Sequence, residues 1–599
     1  DAYPDLGKVH PATGYLRLFE NGEKILDERI ESDVEKIWEI YQTKVLPDIR
    51  RYVDAKTTGK DLVQAQPFFE KLQLDILVSE PDEHLNSRED LLSSLDGLHE
   101  DIYFVGTDYF KNYGMEKAGQ VTDAPGLILP KIRKHAGKPQ MKVTLYSQRA
   151  PEPVIELPDG TMIRPEIPKE DMNVWMKSIR KEGNGKTVVL WVDEGKLALA
   201  GKLEGVTKII FETPERDYGA KVLQGTRQQE QSLDICEIDL SEKSVIGYDD
   251  YIRIIEQLKK VPELSVYPTA VSYKGRHIYA VEIRPHLSGY ISRTKRITAH
   301  PSQIIDSRHH ANEVSSTNSA FMLIKRILTD EKFEELPDRM NLVILPMENV
   351  DGAAIHYELQ KENPNWKLHV ARFNAVGKEF YYDLFETETI HTEAEAMRRL
   401  FMTFLPDVLI DNHGVPSHEW EQQFSGYTSP AYKGFWLPRS LLYGYFYHIT
   451  GEAYRSNYVL NKKMEDVIAD AFMADEEITR ENKMWAEQFE KYAHAWLPKM
   501  FPADYYKNMI NYWIPHEYDP THRYPSIRYP WILSLDYVSE VADETAQGDY
   551  LYSCARAHMI HDVAILEKIM QASCVYKQEW EMQEGYIKAA LTRKRPIII

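Results

Sequence analysis

Residues 30–55 place Val34, Ile37, Trp38 and Tyr41 three or four positions apart before Pro47, a pattern that predicts an amphipathic helix stopped by the proline. Beyond Pro130 the period shortens. The runs KVTLY, TVVLWV and KIIFET are β-branched or apolar and are separated by Gly, Asp and Glu, which predicts a β-rich region closing near Cys236. From Ile246 two patterns alternate. YDDYIRIIEQLKKV, SSTNSAFMLIKRIL and EAEAMRRLFMTFL have helical spacing, whereas AVEIR, LVILP and DVLID are short apolar strands. Such alternation predicts an α/β domain with helices on both faces of a sheet. Inside it, Met464, Val467, Ile468, Ala471 and Phe472 share one helical face, and a helical insertion at about 440–500 is expected to pack as core. The chain thus divides into an N-terminal α+β region at 1–135, a β-rich region at 136–243 and an α/β domain at 246–580.

Charge and cysteine usage narrow the partners and the compartment. The 72 Lys and Arg against 93 Asp and Glu leave a net charge of −21, which repels phosphate backbones, so no nucleic-acid partner is expected. No apolar run approaches the roughly 18 residues of a membrane helix, so no membrane partner is expected either. Three cysteines without paired spacing (Cys236, Cys554, Cys574), and an opening DAYPDL without an apolar leader stretch, favour a reducing, cytoplasmic setting.

The chemistry concentrates in SRHHANEVSST. His310 and Glu313 stand three residues apart just before a helical pattern, where both side chains can converge on one small cation. That spacing alone is weak, since His418 and Glu421 repeat it by chance. Its company strengthens it: His413 follows the apolar strand VLID and precedes a glycine, and catalytic groups in open α/β sheets gather at the carboxyl ends of strands. Two imidazoles and one carboxylate leave a fourth zinc position open for water, the catalytic arrangement rather than the closed structural one. Glu540 ends a further apolar strand in WILSLDYVSEVADETAQGD, and a carboxylate there can take the proton of an activated water.

Together these segments resemble the zinc carboxypeptidase family, the carboxypeptidase A-like metallopeptidases. SYKGRHIYAVEI is similar to the family's approach strand and RHHANEVSS to its first zinc motif. LVILPMENVDG is similar to its Pro-x-x-Asn-x-Asp-Gly turn, at Pro346, Asn349, Asp351 and Gly352. LIDNHG and YVSEVADETAQGD are similar to its third-ligand and general-base segments. The resemblance covers residues 246–580 and implies a mixed eight-stranded sheet flanked by helices, one Zn2+ per chain on His310, Glu313 and His413, and a peptide or amide substrate. It implies Glu540 as base, with Asp543 and Glu544 as in-register rivals, and Arg372 as the group that polarises the scissile carbonyl. Asp383, in Tyr-Asp-Leu-Phe-Glu where the family has Asp-Leu-Asn-Arg, is implied to orient His310, a role metal-bound histidines need. The Asn-Arg pair that grips a terminal carboxylate is replaced by Phe385 and Glu386, so atypical carboxypeptidase specificity is expected. Tyr518 lies nearest the family's mobile tyrosine, and Arg523 and Arg528 could supply a relocated anion site. His309 is expected to point away from the metal, and the LHEDIYF run (His99, Glu100, Asp101) lacks a third ligand. Two rival readings accompany the zinc peptidase: an aspartoacylase-like amidohydrolase of N-acyl amino acids, and an inactive metal-binding scaffold.

Overall fold

The computed structural model describes residues 14–79, 94–147, 155–156, 162–163, 174–182, 185–192, 206–212, 217–221, 232–286, 293–387, 389–414, 443–489, 504–507, 509–583 and 586–599. His418 and Glu421 lie outside them.

The first helix, Asp33–Ile40, starts at a capping box in which Ser32 Oγ accepts from Glu35 N and the Glu35 carboxylate accepts from Ser32 N. Pro47 does not stop it. The chain passes through a π-helical turn at Tyr41–Val45 into a second helix, Leu46–Thr57, whose first turn contains the proline. The wider π turn ahead of it accommodates a residue that has no N–H to donate. Strand Lys71–Val78 runs parallel to Leu127–Lys134 on one side and antiparallel to Gln140–Tyr146 on the other. The division expected at 135 therefore falls inside a sheet, because Gln140–Tyr146 completes the N-terminal unit. The long helix Ser94–Ala118 packs on this sheet, and Ile102, Tyr103 and Phe110 are fully buried. Strands Val174–Glu182, Gly185–Val192, Val206–Glu212 and Asp217–Lys221 form a separate four-stranded sheet.

The α/β part is a mixed sheet flanked by helices. It has nine strands among the described residues, in the order Leu264–Val271, His277–Ile283, Asn341–Leu345, Ser302–Ser307, Val408–Gly414, Leu535–Val541, Tyr443–Ile449, Met509–His516 and Asp504–Tyr506. The three-residue strand at the far edge is too short to announce itself in sequence. Strand Tyr443–Ile449 pairs antiparallel to Leu535–Val541, so the stretch expected to be helical opens with a strand. Helices Arg455–Met473 and Glu476–Phe489 follow it, and Leu460, Met464, Ile468 and Phe472 are buried core.

Four neighbouring strands, those starting at Asn341, Ser302, Val408 and Leu535, run parallel. Ser302–Ser307 and Asn341–Leu345 are buried at every position, and in Asn341–Leu345 this burial on both faces gives the unbroken apolar run Leu342–Leu345. Asp407, fully buried ahead of His413's strand, is held by Arg593 and Arg595 of the C-terminal hairpin, each at 2.7 Å. The carboxyl ends of the four parallel strands thus open together on one side.

Candidate metal and catalytic centre

The turn after strand Ser302–Ser307 carries Arg308 in the left-handed region at φ 62, fully buried. A non-glycine residue there is strained, and hydrogen bonds hold it. Its N–H donates to Ser316 Oγ (2.9 Å) and its Nε–H to the Ala311 carbonyl (2.6 Å). This turn throws His309 and His310 out past the strand end, and Glu313 sits just before helix Ser315–Thr329.

His310 Nδ1 lies 2.8 Å from Glu313 Oε1, and His413 Nδ1 lies 3.0 Å from Glu313 Oε2. One ligand atom from each of these three buried residues falls within 4.8 Å of the others, so the set can hold a cation. The two ring nitrogens facing outward are also pinned. Glu379 Oε2 is 2.8 Å from His310 Nε2, and Asp411 Oδ2 is 2.7 Å from His413 Nε2. A carboxylate on the far nitrogen fixes the ring and makes the near nitrogen a better donor to a metal. The donor chemistry therefore fits zinc.

Around this triad the other sequence candidates divide. Arg372 Nη1 donates to Glu313 Oε1 at 2.7 Å, so the arginine is at the centre. The Asn-x-Asp-Gly turn puts it there: Asn349 Nδ2 donates to the Arg372 and Phe373 carbonyls, each at 3.2 Å, while its Oδ1 accepts from Gly352 N at 2.9 Å. Asp351 anchors the same turn to the approach strand, accepting from Ser272 Oγ, Lys274 N and Arg276 Nη1 at 2.7–2.8 Å. Glu540 is directly opposite His413 in the sheet register. Its Oε2 is buried without a hydrogen-bond partner among the described residues, and burial pushes its carboxyl well above the usual range. Its rivals are occupied. Asp543 Oδ2 accepts from Ser315 N and Oγ, both at 2.6 Å, and Glu544 Oε2 faces His369 Nε2 at 2.6 Å. Burial opposes the charge on Glu313, yet His310, His413 and Arg372 hold its carboxyl well below the usual range.

Two expectations need correction. Asp383 is not against His310; it accepts from Thr389 Oγ1 at 2.6 Å and lies 3.6 Å from Lys378, and the carboxylate on His310 is Glu379. Tyr518 is 44% exposed with its ring against Trp531, so the structure does not bring it to the centre. His309 directs its two nitrogens at carboxylates outside the triad, as a neighbour of the triad rather than a ligand in it. It is buried, with Nε2 2.6 Å from Glu379 Oε1 and Nδ1 3.2 Å from Glu348 Oε2. Burial disfavours its charge, but the Glu379 and Glu348 carboxylates raise its pKa to about 10. Both its nitrogens face carboxylates, burial beside Glu348 pushes the Asp306 carboxyl up, and the sets Asp306–His309–Glu348 and His309–His310–Glu379 are also spaced closely enough to hold a cation. Arg523 and Arg528 rest on aromatic faces, Arg523 at 3.7 Å from the Tyr382 ring centre and Arg528 at 4.5 Å from that of Phe385.

Sequence reasoning missed Glu379, Asp411 and Glu348. Asp411 was within reach: strand period places it on the face of His413. Glu379 caps the 3-10 turn Phe380–Asp383, and nothing in its spacing from His310 announces the contact.

Comparison with known proteins bears on this centre. The zinc carboxypeptidase family model, Peptidase_M14, matches residues 251–382, the stretch that contains His310, Glu313, Arg372 and Glu379. No curated protein matches the chain. Among solved structures, a metallo-carboxypeptidase from Burkholderia cenocepacia is similar at 13% identity and TM-score 0.34, over 53% of this chain and 69% of that one. One from Pseudomonas aeruginosa is similar at 11% identity and TM-score 0.33, over 68% and 99%. Carboxypeptidase A from Helicoverpa armigera is similar at 11% identity and TM-score 0.31, over 55% and 74%. The family match identifies residues 251–382 as zinc carboxypeptidase, a metallopeptidase domain sequence.

Proposed function

We propose that the chain hydrolyses a peptide or amide bond at a single zinc ion held by His310 Nδ1, His413 Nδ1 and Glu313, with Glu379 and Asp411 fixing the two rings. The observation that carries this reading is the convergence of both Nδ1 atoms on the two oxygens of Glu313, with Glu540 in register beside His413. Zinc bound there supplies a Lewis acid that acidifies a water and polarises a carbonyl. Glu540 takes the water's proton and delivers it to the leaving nitrogen. Arg372, placed by Asn349, turns from Glu313 to the oxygen on which negative charge develops.

The proposed specificity departs from ordinary carboxypeptidases. A buried terminal carboxylate needs a forked cation to offset its desolvation. Where the family supplies one, Phe385 packs on Phe401 and Tyr529, and Glu386 is exposed. Substrates with a blocked terminus, or with the scissile bond displaced from the chain end, are therefore preferred. A matched peptide pair differing only in a free or amidated C-terminus tests this. Equal or better cleavage of the amide supports the proposal; strong preference for the free acid, abolished in Arg523→Ala or Arg528→Ala, defeats it. No helix among the described residues is long and apolar enough to cross a membrane, and Cys236, Cys554 and Cys574 form no disulfide. Cysteines that form no disulfide support the cytoplasm as the proposed compartment.

A further inference from the structure

The N-terminal unit reaches the catalytic centre through one face of helix Ser94–Ala118. Asp96, Glu100, Tyr103 and Phe104 recur at helical spacing and meet residues 366–373 of the α/β part. Lys367 Nζ donates to Glu100 Oε2 at 2.9 Å. His369 Nδ1 lies 2.7 Å from Glu100 Oε1, while His369 Nε2 lies 2.6 Å from Glu544 Oε2. The side chains of Lys367, His369 and Glu544 are at most 3% exposed. The ring of Phe104 stands edge-on to His369 at 6.0 Å, and Trp366, Leu368 and Val370 belong to the N-terminal apolar core rather than to that of the large sheet.

This contact ends where the chemistry begins. Arg372 N donates to the His369 carbonyl at 3.0 Å in the same 3-10 turn, and its guanidinium bonds Glu313. Glu544 leaves the strand that carries Glu540. His369 therefore bridges three pieces: the N-terminal helix, the turn that aims Arg372, and the exit of the base strand. A charged pair exposed to water would tolerate sliding, but buried charges left without partners are costly, so this bridge has one arrangement.

We infer that Glu100, through His369 and Glu544, is a positioning residue for Arg372, and that the N-terminal unit completes the catalytic centre. The inference rests on the proposed role of Arg372. A second contact between the two parts, the exposed pair Arg133–Glu362 at 2.7 Å, lies outside this bridge and serves as control.

The test uses the full zinc-loaded chain and an amidated peptide substrate. Glu100→Gln keeps the side chain's shape and removes its charge. It is expected to lower kcat about 10-fold or more with KM within about twofold and zinc content unchanged, while Arg133→Ala leaves kcat unaltered. Combined with Arg372→Ala, the Glu100→Gln effect should largely vanish, since a residue acting through Arg372 has nothing left to position. Should Glu100→Gln not fold, Phe104→Leu, which loosens the ring contact on His369 without touching a charge, reads the same split. Multiplicative losses in the double variant, or equal losses in Glu100→Gln and Arg133→Ala, overturn the inference. An unchanged kcat in Arg372→Ala overturns both it and the proposed role of the arginine. Loss in Arg372→Ala without loss in Glu100→Gln overturns the inference alone.

Discussion

Replacing Gly352 by alanine should damage the centre without touching any group that reacts. A Cβ there would lie 2.6 Å from the Ala371 carbonyl oxygen, 2.8 Å from Ala311 Cβ and 2.8 Å from Asn349 Nδ2. Ala371 precedes Arg372, Ala311 lies between His310 and Glu313, and Asn349 holds the Arg372 and Phe373 carbonyls. The methyl group therefore presses on all three supports at once. Overpacking of this kind costs about 1–3 kcal/mol. Weakening the two Asn349 hydrogen bonds adds about 1 kcal/mol, giving a total on the order of 2–4 kcal/mol. Thermal unfolding should show a drop of roughly 3–6 °C, because a domain of more than about 300 residues unfolds with an entropy near 0.7 kcal/mol/K. A displacement of Arg372 by a fraction of an ångström should lower kcat/KM by about 10–100-fold. Gly97 is the control, a helical glycine with nothing within 4 Å of an added Cβ, where alanine should be neutral or slightly stabilising. If Gly352→Ala behaves like Gly97→Ala in both melting and kinetics, the argued crowding does not exist.

Other substitutions separate the roles. Glu540→Gln should retain zinc and lose about 10²–10⁴ in turnover, with a smaller loss in Glu544→Gln; the reverse order, measured at full zinc occupancy, would reassign the base. Glu379→Gln should weaken zinc affinity by about 10–100-fold in a chelator competition, whereas Asp383→Asn should leave it unchanged, and equal effects would remove Glu379 from its post on His310. Burial works against the charge on His369, but Glu544 and Glu100 raise its pKa to about 9. Because this exceeds its unfolded value near 6.5, the stability it contributes is full below about pH 6.5 and is lost between about 6.5 and 9, a change of roughly 3 kcal/mol. Melting temperature should fall more steeply over that window in the natural chain than in His369→Gln, and parallel curves would contradict the linkage.

Much of the centre could be read from sequence, for reasons visible in its geometry. His310 and Glu313 share a single turn, so their spacing alone brings them together. His413 lies near the end of a parallel strand that opens on the apolar run Val408–Ile410, and Glu540 stands opposite it near the end of the neighbouring strand. The partner of His310 was misplaced because a 3-10 turn, rather than a repeating element, decides whether Glu379 or Asp383 faces the imidazole. Tyr518 failed for a related reason, since its loop packs on Trp531 and an offset in sequence carries no loop direction. The bridge from Glu100 to His369 joins residues far apart in the chain, and helical spacing shows only that Glu100 has a face, not what meets it.

Zinc content per chain tests the central claim most directly. Elemental analysis of the purified natural chain should give about one zinc, with most of it lost in His310→Ala and in His413→Ala and none lost in His418→Ala. Full occupancy in both His310→Ala and His413→Ala would place the metal elsewhere and contradict the account.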